Sequence, residues 1–177
     1  EPALVVSKED RDKQREDIEG YVRVGIEALS QFGVPTSTQN KLLIEHPDLP
    51  VPILGYDDFQ FEKDGVKISV DLKTTKACPS SIREPHRNQG AVYATALPEH
   101  QIKFCYVTPK KSAVYEVTHA EAKELMQDFV KAVQAMEKFL SISDDVQELA
   151  SFFAPSYSSF YWDDPIIRSE AKRIFGV

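Results

Sequence analysis

Cysteine is scarce in this chain: among 177 residues only Cys78 and Cys105 occur, 27 positions apart and in no CxxC pair. That scarcity excludes a disulfide framework, a zinc ribbon and a four-cysteine iron–sulfur site, and it fits a reducing cytoplasm. Long apolar runs are also missing. No stretch approaches 18 consecutive apolar residues, and no charged-then-apolar leader opens the sequence, so neither a membrane span nor a signal peptide is expected. Internal repeats, low-complexity tracts, Gly-rich phosphate loops, a Ser-His-Asp signature and His/Cys ligand pairs are absent as well. The chain opens at Glu1 rather than Met, which leaves room for an upstream element.

What is present suits one globular domain. Apolar residues make up 42% and aromatics 10%, enough to build a core. Asp and Glu number 28 against 21 Lys and Arg, for a net charge of −7. An acidic balance argues against a protein that coats nucleic acid, yet the charge is unevenly spread. Residues 72–111 hold seven basic side chains (Lys73, Lys76, Arg83, Arg87, Lys103, Lys110, Lys111) and two acidic ones (Glu84, Glu99), a local +5 that leaves −12 for the rest.

Periodicity gives the element order. Ser7-Lys8-Glu9-Asp10 has the form of a capping box, and Ile18, Val22, Ile26 and Leu29 follow at helical spacing, predicting a helix over 8–32 that Gly33 and Pro35 stop. Short β-type runs follow at Leu43-Ile44, 51–61 and 66–72. A loop over 79–85 leads into a helix opened by Pro85 and ending near Leu97-Pro98, then strands over 102–107 and 113–117. Thr118-His119-Ala120-Glu121 caps a long helix whose Leu125, Phe129, Val133, Met136 and Leu140 form a core stripe; Ser143 caps a short helix and Pro165 begins a last one. The order predicts an α/β (α+β) fold, a central mixed sheet of about five strands flanked by helices. The expected organisation is a single domain over 1–177, with an N-terminal helix at 8–32, a core at 41–120 and C-terminal helices at 121–177.

The most informative stretch is 55–73. Asp64-Gly65 between alternating runs is a hairpin signal, and a two-residue turn there pairs Lys63 with Val66. The register then places Phe61 opposite Ile68 and Phe59 opposite Val70 on an apolar face. Glu62 opposite Lys67 and Gln60 opposite Ser69 form a polar face. Continued one step further, it sets Asp58 across from Asp71, with Lys73 pointing the same way. Opposed like charges destabilise a sheet. Either a divalent cation joins the two carboxylates, in the oxygen-rich shell that Mg²⁺ or Mn²⁺ prefers, or one Asp turns to solvent at a strand end. Beside such a cation Lys73 would orient a water or stabilise phosphate charge. His86, Gln89 and Tyr93 share one face of the next helix. The aromatic cluster Phe152, Phe153, Tyr157, Phe160, Tyr161 and Trp162 is expected to close the core against the sheet, a stacking platform for unpaired bases being the alternative.

In order along the chain, Gly55-x-x-Asp58, Asp71-Leu72-Lys73 and Gln89-x-x-x-Tyr93 resemble the PD-(D/E)XK nuclease superfamily, and within it the RecB-like and phage-type exonuclease branch. Asp71-Leu72-Lys73-Thr74-Thr75-Lys76 is similar to that family's "DYKTSK" strand end. The resemblance implies a restriction-endonuclease-like core and metal-dependent hydrolysis of DNA phosphodiesters at single- or double-stranded ends, in recombination, repair or phage DNA processing. It implies Mg²⁺ or Mn²⁺ on Asp58, Asp71 and the Leu72 carbonyl, no iron–sulfur cluster, and Lys73 assisting the attacking water. Gln89 and Tyr93 would position substrate, and Thr74, Thr75 and Lys76 would contact phosphates. It further implies a cytoplasmic setting in a bacterial or phage-infected cell, with a recombination protein as a partner and no membrane association. Relatives carry a further acidic or His ligand on an N-terminal helix; Glu27 and Glu45 are the candidates here. The competing reading is a catalytically impaired nuclease-like domain that binds nucleic acid or a protein.

Overall fold

The computed structural model describes residues 8–157 and 162–175. It divides into two compact units, 1–129 and 130–177. The first contains α1 (Lys8–Ser30), β1 (Ser37–Ile44), β2 (Ile53–Lys63), β3 (Val66–Thr74), α2 (Glu84–Ala96), β4 (His100–Val107), β5 (Ser112–Val117) and the start of α3 (His119–Leu140). The five strands form one mixed sheet in the order β1-β2-β3-β4-β5. Only β3 and β4 run parallel, because α2 carries the chain back between them.

The hairpin follows the register read from the sequence. Phe59 faces Val70, Gln60 faces Ser69, Phe61 faces Ile68, Glu62 faces Lys67 and Lys63 faces Val66. Asp64 and Gly65 take φ of 54° and 78°, the left-handed pair that a tight hairpin turn matching the strand twist requires.

Helices cover both faces of the sheet. On one, Val24 and Ala28 of α1 and Phe32 just after it pack against Phe61, Ile68, Val70, Cys105 and Val107. On the other, Ala91, Tyr93 and Ala94 of α2 pack against Leu42, Ile44, Ile102, Phe104, Tyr106 and Val117. The expected α1 stripe is therefore wrong by a rotation: Ile18, Val22 and Ile26 are each more than half exposed, and Leu29 is partly buried. Val24, Ala28 and, past the helix end, Phe32 make the buried row instead, with the half-buried Gly20 one turn before them. Small residues there bring the helix close, since a Cβ on Gly20 would lie 2.7 Å from Pro109 Cβ, while Phe32 meets Phe61 at 5.5 Å between ring centres.

In α3 the buried positions of the first unit are Ala122 and Met126, one residue out of phase with part of the predicted stripe, and Thr118 Oγ accepts the Glu121 N–H as a cap. In the second unit Met136 and Leu140 are exposed rather than core. Its short helix α4 (Val146–Ala150) is capped by Asp145, which accepts from the Gln147 amide, and not by Ser143, whose hydroxyl accepts from Asp145 N. The last helix, α5 (Pro165–Phe175), begins at Pro165 as expected. Phe152 and Phe153 do not close a core: both are more than half exposed and meet Phe139 edge-on, while Trp162 contacts Tyr157 and Phe175. A unit this small buries few positions, so its aromatics pair with one another. Ser7, Phe160 and Tyr161 lie outside the described residues.

Gly90 sets the height of α2 over the sheet. A Cβ there would come within 2.7 Å of Val117 Cγ2 and 2.9 Å of Phe104 Cε2, both fully buried. Gly90→Ala should therefore destabilise the fold by about 1–3 kcal/mol, overriding the better helix propensity of Ala. Urea unfolding measures it, and a stabilised variant would contradict this packing.

Candidate active site

Asp71 and Lys73 lie at the C-terminal end of β3, the edge of a sheet of this type where ligands bind. Even-numbered residues of β3 (Ile68, Val70, Leu72) face α1, so Asp71 and Lys73 face α2. Asp71 is buried, only 3% exposed. Gln89 Nε2 donates to its Oδ2 at 3.1 Å, and the Tyr93 hydroxyl lies 3.3 Å from the same oxygen. Lys73 Nζ lies 2.6 Å from the buried Oδ1, a short ion pair that partly offsets the burial of the carboxylate. Burial pushes the Asp71 carboxyl above the ordinary value, and Asp58 adds to the effect; Lys73 and Tyr93 oppose it.

Gln89 and Tyr93 are joined to each other and to the sheet. Gln89 Nε2 donates to the Tyr93 oxygen at 2.6 Å, and that hydroxyl donates to the Tyr56 carbonyl at 2.6 Å. Burial, reinforced by the Asp71 charge, drives the Tyr93 pKa upward, so the hydroxyl keeps its proton for this bond. These two side chains thus lock α2 to β2 and to Asp71 at one point.

Asp58 is not the ladder partner of Asp71, because the β2–β3 pairing ends at Phe59 and Val70. Its Oδ2 instead accepts the Leu72 amide at 2.8 Å, and Gln39 Nε2 donates to its Oδ1 at 3.0 Å. The Leu72 carbonyl shares the side of its own N–H, so it too faces the gap where the ladder has stopped.

The reason is a change of face. Ile53 packs in the α2 core, whereas Phe59 and Phe61 pack in the α1 core, although all three positions are odd. The alternation therefore reverses between Asp57 and Phe59. Gln39, which donates to Asp58, takes φ 52°, and both residues fall between the ladder pairs Thr38–Phe59 and Asn40–Asp57. As a result Asp57, not Asp58, joins Gln60 and Ser69 on the polar side. Fully buried, Asp57 accepts from Asn40 N and Nδ2 at 3.2 and 2.9 Å, Gln60 Nε2 at 2.8 Å and Ser69 Oγ at 3.1 Å. Sequence reasoning missed this residue. Its signal was an Asp beside Asp58 with amide and hydroxyl partners at register positions.

The remaining predicted residues are placed as follows. Thr74 and Lys76 are exposed just past Lys73, while Thr75 donates its amide to Val107 O at 2.9 Å and accepts Arg83 Nη2 at 3.0 Å through its hydroxyl. Neither acidic candidate reaches Asp71. Glu27 lies on α1, against the opposite face of the sheet, and lines a cavity with Lys110 and Lys111. Glu45 follows the far end of β1, six residues from Gln39, a strand distance of about 20 Å. Among the described residues no group of three or more His, Cys, Asp or Glu side chains converges. No helix among them is long and apolar enough to cross a membrane.

Neither a family model nor a curated protein sequence matches this chain. Solved structures do. A structure from Eubacterium rectale named "Putative exonuclease" is 16% identical with a TM-score of 0.50, covering 74% of this chain and 53% of its own. The crystal structure of SSO0001 is 20% identical with a TM-score of 0.46, covering 65% of this chain and 59% of its own. The chain thus spans little more than half the length of these structures. It shares a fold with the first, a mixed five-stranded sheet flanked by helices.

The two buried aspartates should respond oppositely to substitution. Asp57→Ala strands several buried donors and should cost about 2–3 kcal/mol. Asp71 binds a proton more tightly folded than unfolded, so its contribution to stability falls as pH rises from the unfolded value of 3.8 through the raised folded one. Asp71→Asn should therefore raise the melting temperature at pH 7 and lose that advantage at acid pH. Thermal melts across pH test it, and a destabilised Asp71→Asn protein at pH 7 would contradict the assigned cause.

Proposed function

We propose that this chain is a PD-(D/E)XK nuclease domain, a Mg²⁺- or Mn²⁺-dependent hydrolase of DNA phosphodiesters acting as an exonuclease. The observation that carries the reading is the meeting of two carboxylates at one strand end: Asp71 is buried and ion-paired with Lys73 at 2.6 Å, and Asp58, held on the Leu72 amide, lies near enough for its charge to raise the Asp71 pKa. Like charges this close repel unless a cation joins them. The donor set fits a hard cation, since Asp58, Asp71 and the Leu72 carbonyl offer only oxygen and leave positions for water and phosphate. When bound, the ion would polarise the phosphate and lower the pKa of a coordinated water.

The chain's own residues then have distinct tasks. Gln89 and Tyr93 fix the Asp71 carboxylate through Oδ2, leaving Oδ1 to Lys73. Asp58 is steered by Gln39 and by the Leu72 amide, which also fixes the direction of the Leu72 carbonyl. Lys73, one quarter exposed, reaches both Asp71 and the solvent side, where it would orient the attacking water and stabilise charge growing on the phosphate. Thr74 and Lys76 continue the strand end along the path of the backbone. The biological setting that goes with this reading is DNA recombination, repair or phage DNA processing in the cytoplasm, alongside a recombination partner.

A second reading draws support from one observation: with Glu27 and Glu45 both remote, no third acidic side chain joins Asp58 and Asp71 among the described residues. That favours a nuclease-like domain that binds nucleic acid or a protein with catalysis impaired. Labelled linear and circular DNA in Mg²⁺ or Mn²⁺ separates the two. Hydrolysis of linear DNA is expected, with Asp71→Ala and Lys73→Ala each slower by about 100-fold or more. Variants as fast as wild type would end the proposal. Absence of cleavage, together with calorimetry showing no Mn²⁺ binding that depends on Asp58 and Asp71, would establish the binding module.

A further inference from the structure

Beside Lys73 lies a second cluster that the nuclease reading does not use. The first turn of α2 places His86 and Arg83 over β4, where Tyr106 is fully buried. The Tyr106 oxygen accepts the Arg83 backbone N–H at 3.1 Å and touches His86 Nδ1 at 2.5 Å. A hydroxyl has one proton, and His86 Nδ1 is the acceptor within its reach, so Tyr106 donates to Nδ1. The imidazole proton therefore sits on Nε2.

The ring itself is fixed. It stacks on Phe104 with 5.9 Å between centres and 3° between planes, and Lys73 Nζ lies 5.8 Å from the centre of the same Phe104 ring. Nε2 has no acceptor among the described residues and is not sealed from solvent. Burial, with the Lys73 and Arg83 charges facing the ring, lowers the His86 pKa, so it remains neutral and keeps a donor on Nε2. Arg83 sits over the Tyr106 ring at 6.0 Å and holds Thr75 Oγ through Nη2. Two cations flank the oriented N–H: Lys73, which also pairs with Asp71, and Arg83, with one donor on Thr75. Glu121 is taken by Arg87. An N–H donor with cations on both sides suits an anion rich in oxygen.

We propose that His86 Nε2–H, flanked by Lys73 and Arg83, binds a non-bridging oxygen of a nucleic-acid phosphodiester, and that Tyr106 is the positioning residue that fixes its tautomer. The ligand class rests on the nuclease reading; the donor geometry does not. A neutral donor is suited to this place because it adds hydrogen bonding to the phosphate without adding a third positive charge next to a cation site.

The test has a spectroscopic arm and a kinetic one. Long-range ¹H–¹⁵N NMR of the full chain, ¹⁵N-labelled at histidine and free of divalent metal, should show His86 protonated at Nε2. That resonance should shift on addition of a thymidine dinucleotide and stay in place with its uncharged methylphosphonate analogue. In Mn²⁺ cleavage assays His86→Ala should lower kcat/KM by about tenfold or more, and His86→Gln, which restores a side-chain N–H donor, should recover most of the loss. Tyr106→Phe should leave a mixture of His86 tautomers. A proton on Nδ1, an Nε2 that ignores the dinucleotide, or a His86→Ala enzyme as fast as wild type would overturn the proposal. If the wild-type chain cleaves nothing while Nε2 still responds, the phosphate site stands and the hydrolytic reading falls.

Discussion

Burial of the Asp71 carboxylate is the constraint around which the first unit is arranged. A carboxylate that is 3% exposed must be compensated locally. The chain supplies Lys73 from the same strand, and Gln89 and Tyr93 from the helix that follows. Those two residues reach the carboxylate because Gly90 lets α2 settle onto Phe104 and Val117, and because the Tyr93 hydroxyl is anchored to the Tyr56 carbonyl. The parallel crossover from β3 to β4 is thus fastened at its centre by a polar contact, with an apolar layer around it. Compensation at Oδ1 comes from Lys73, while the neighbouring Asp58 charge still works against the Asp71 carboxylate.

The hairpin was legible in the sequence because two local rules agreed: an Asp-Gly turn and an alternation of apolar residues that fits only one register. Every pair from Lys63–Val66 to Phe59–Val70 followed. The rule failed one step later, at Asp58. Alternation is a property of regular backbone, and Gln39 at positive φ breaks it on the facing strand. That break arises from pairing with β1, a partner whose extent the sequence did not disclose. The Gln89 and Tyr93 placement was legible because a four-residue spacing fixes a helix face. The α1 face was not, because Ile18, Val22 and Ile26 carry the larger apolar signal while close packing selected Gly20 and Ala28.

The charge segregation also looks different in three dimensions. Of the seven basic residues in 72–111, Arg87 pairs with Glu121 and Lys103 with Glu116, both partners lying outside that segment. Lys110 and Lys111 sit at the β4–β5 turn beside α1, near Glu27. What remains at the end of β3 is Lys73, itself paired with Asp71, together with Lys76 and Arg83. The positive field that matters is therefore small and local, which reconciles it with the overall charge of −7.

The reversal of alternation at Asp58 makes β2 belong to two cores at once, Ile53 sealing the α2 side and Phe59 and Phe61 the α1 side. A sheet with a single buried face tolerates a change of length at its ends. Here a one-residue insertion or deletion within β2 would turn one half of the strand inside out while the other stayed in phase. The tract is consequently a fixed ruler. Its length is held by hydrophobic packing on both sides, and the carboxylate of Asp58 stands at the mark where the two scales meet.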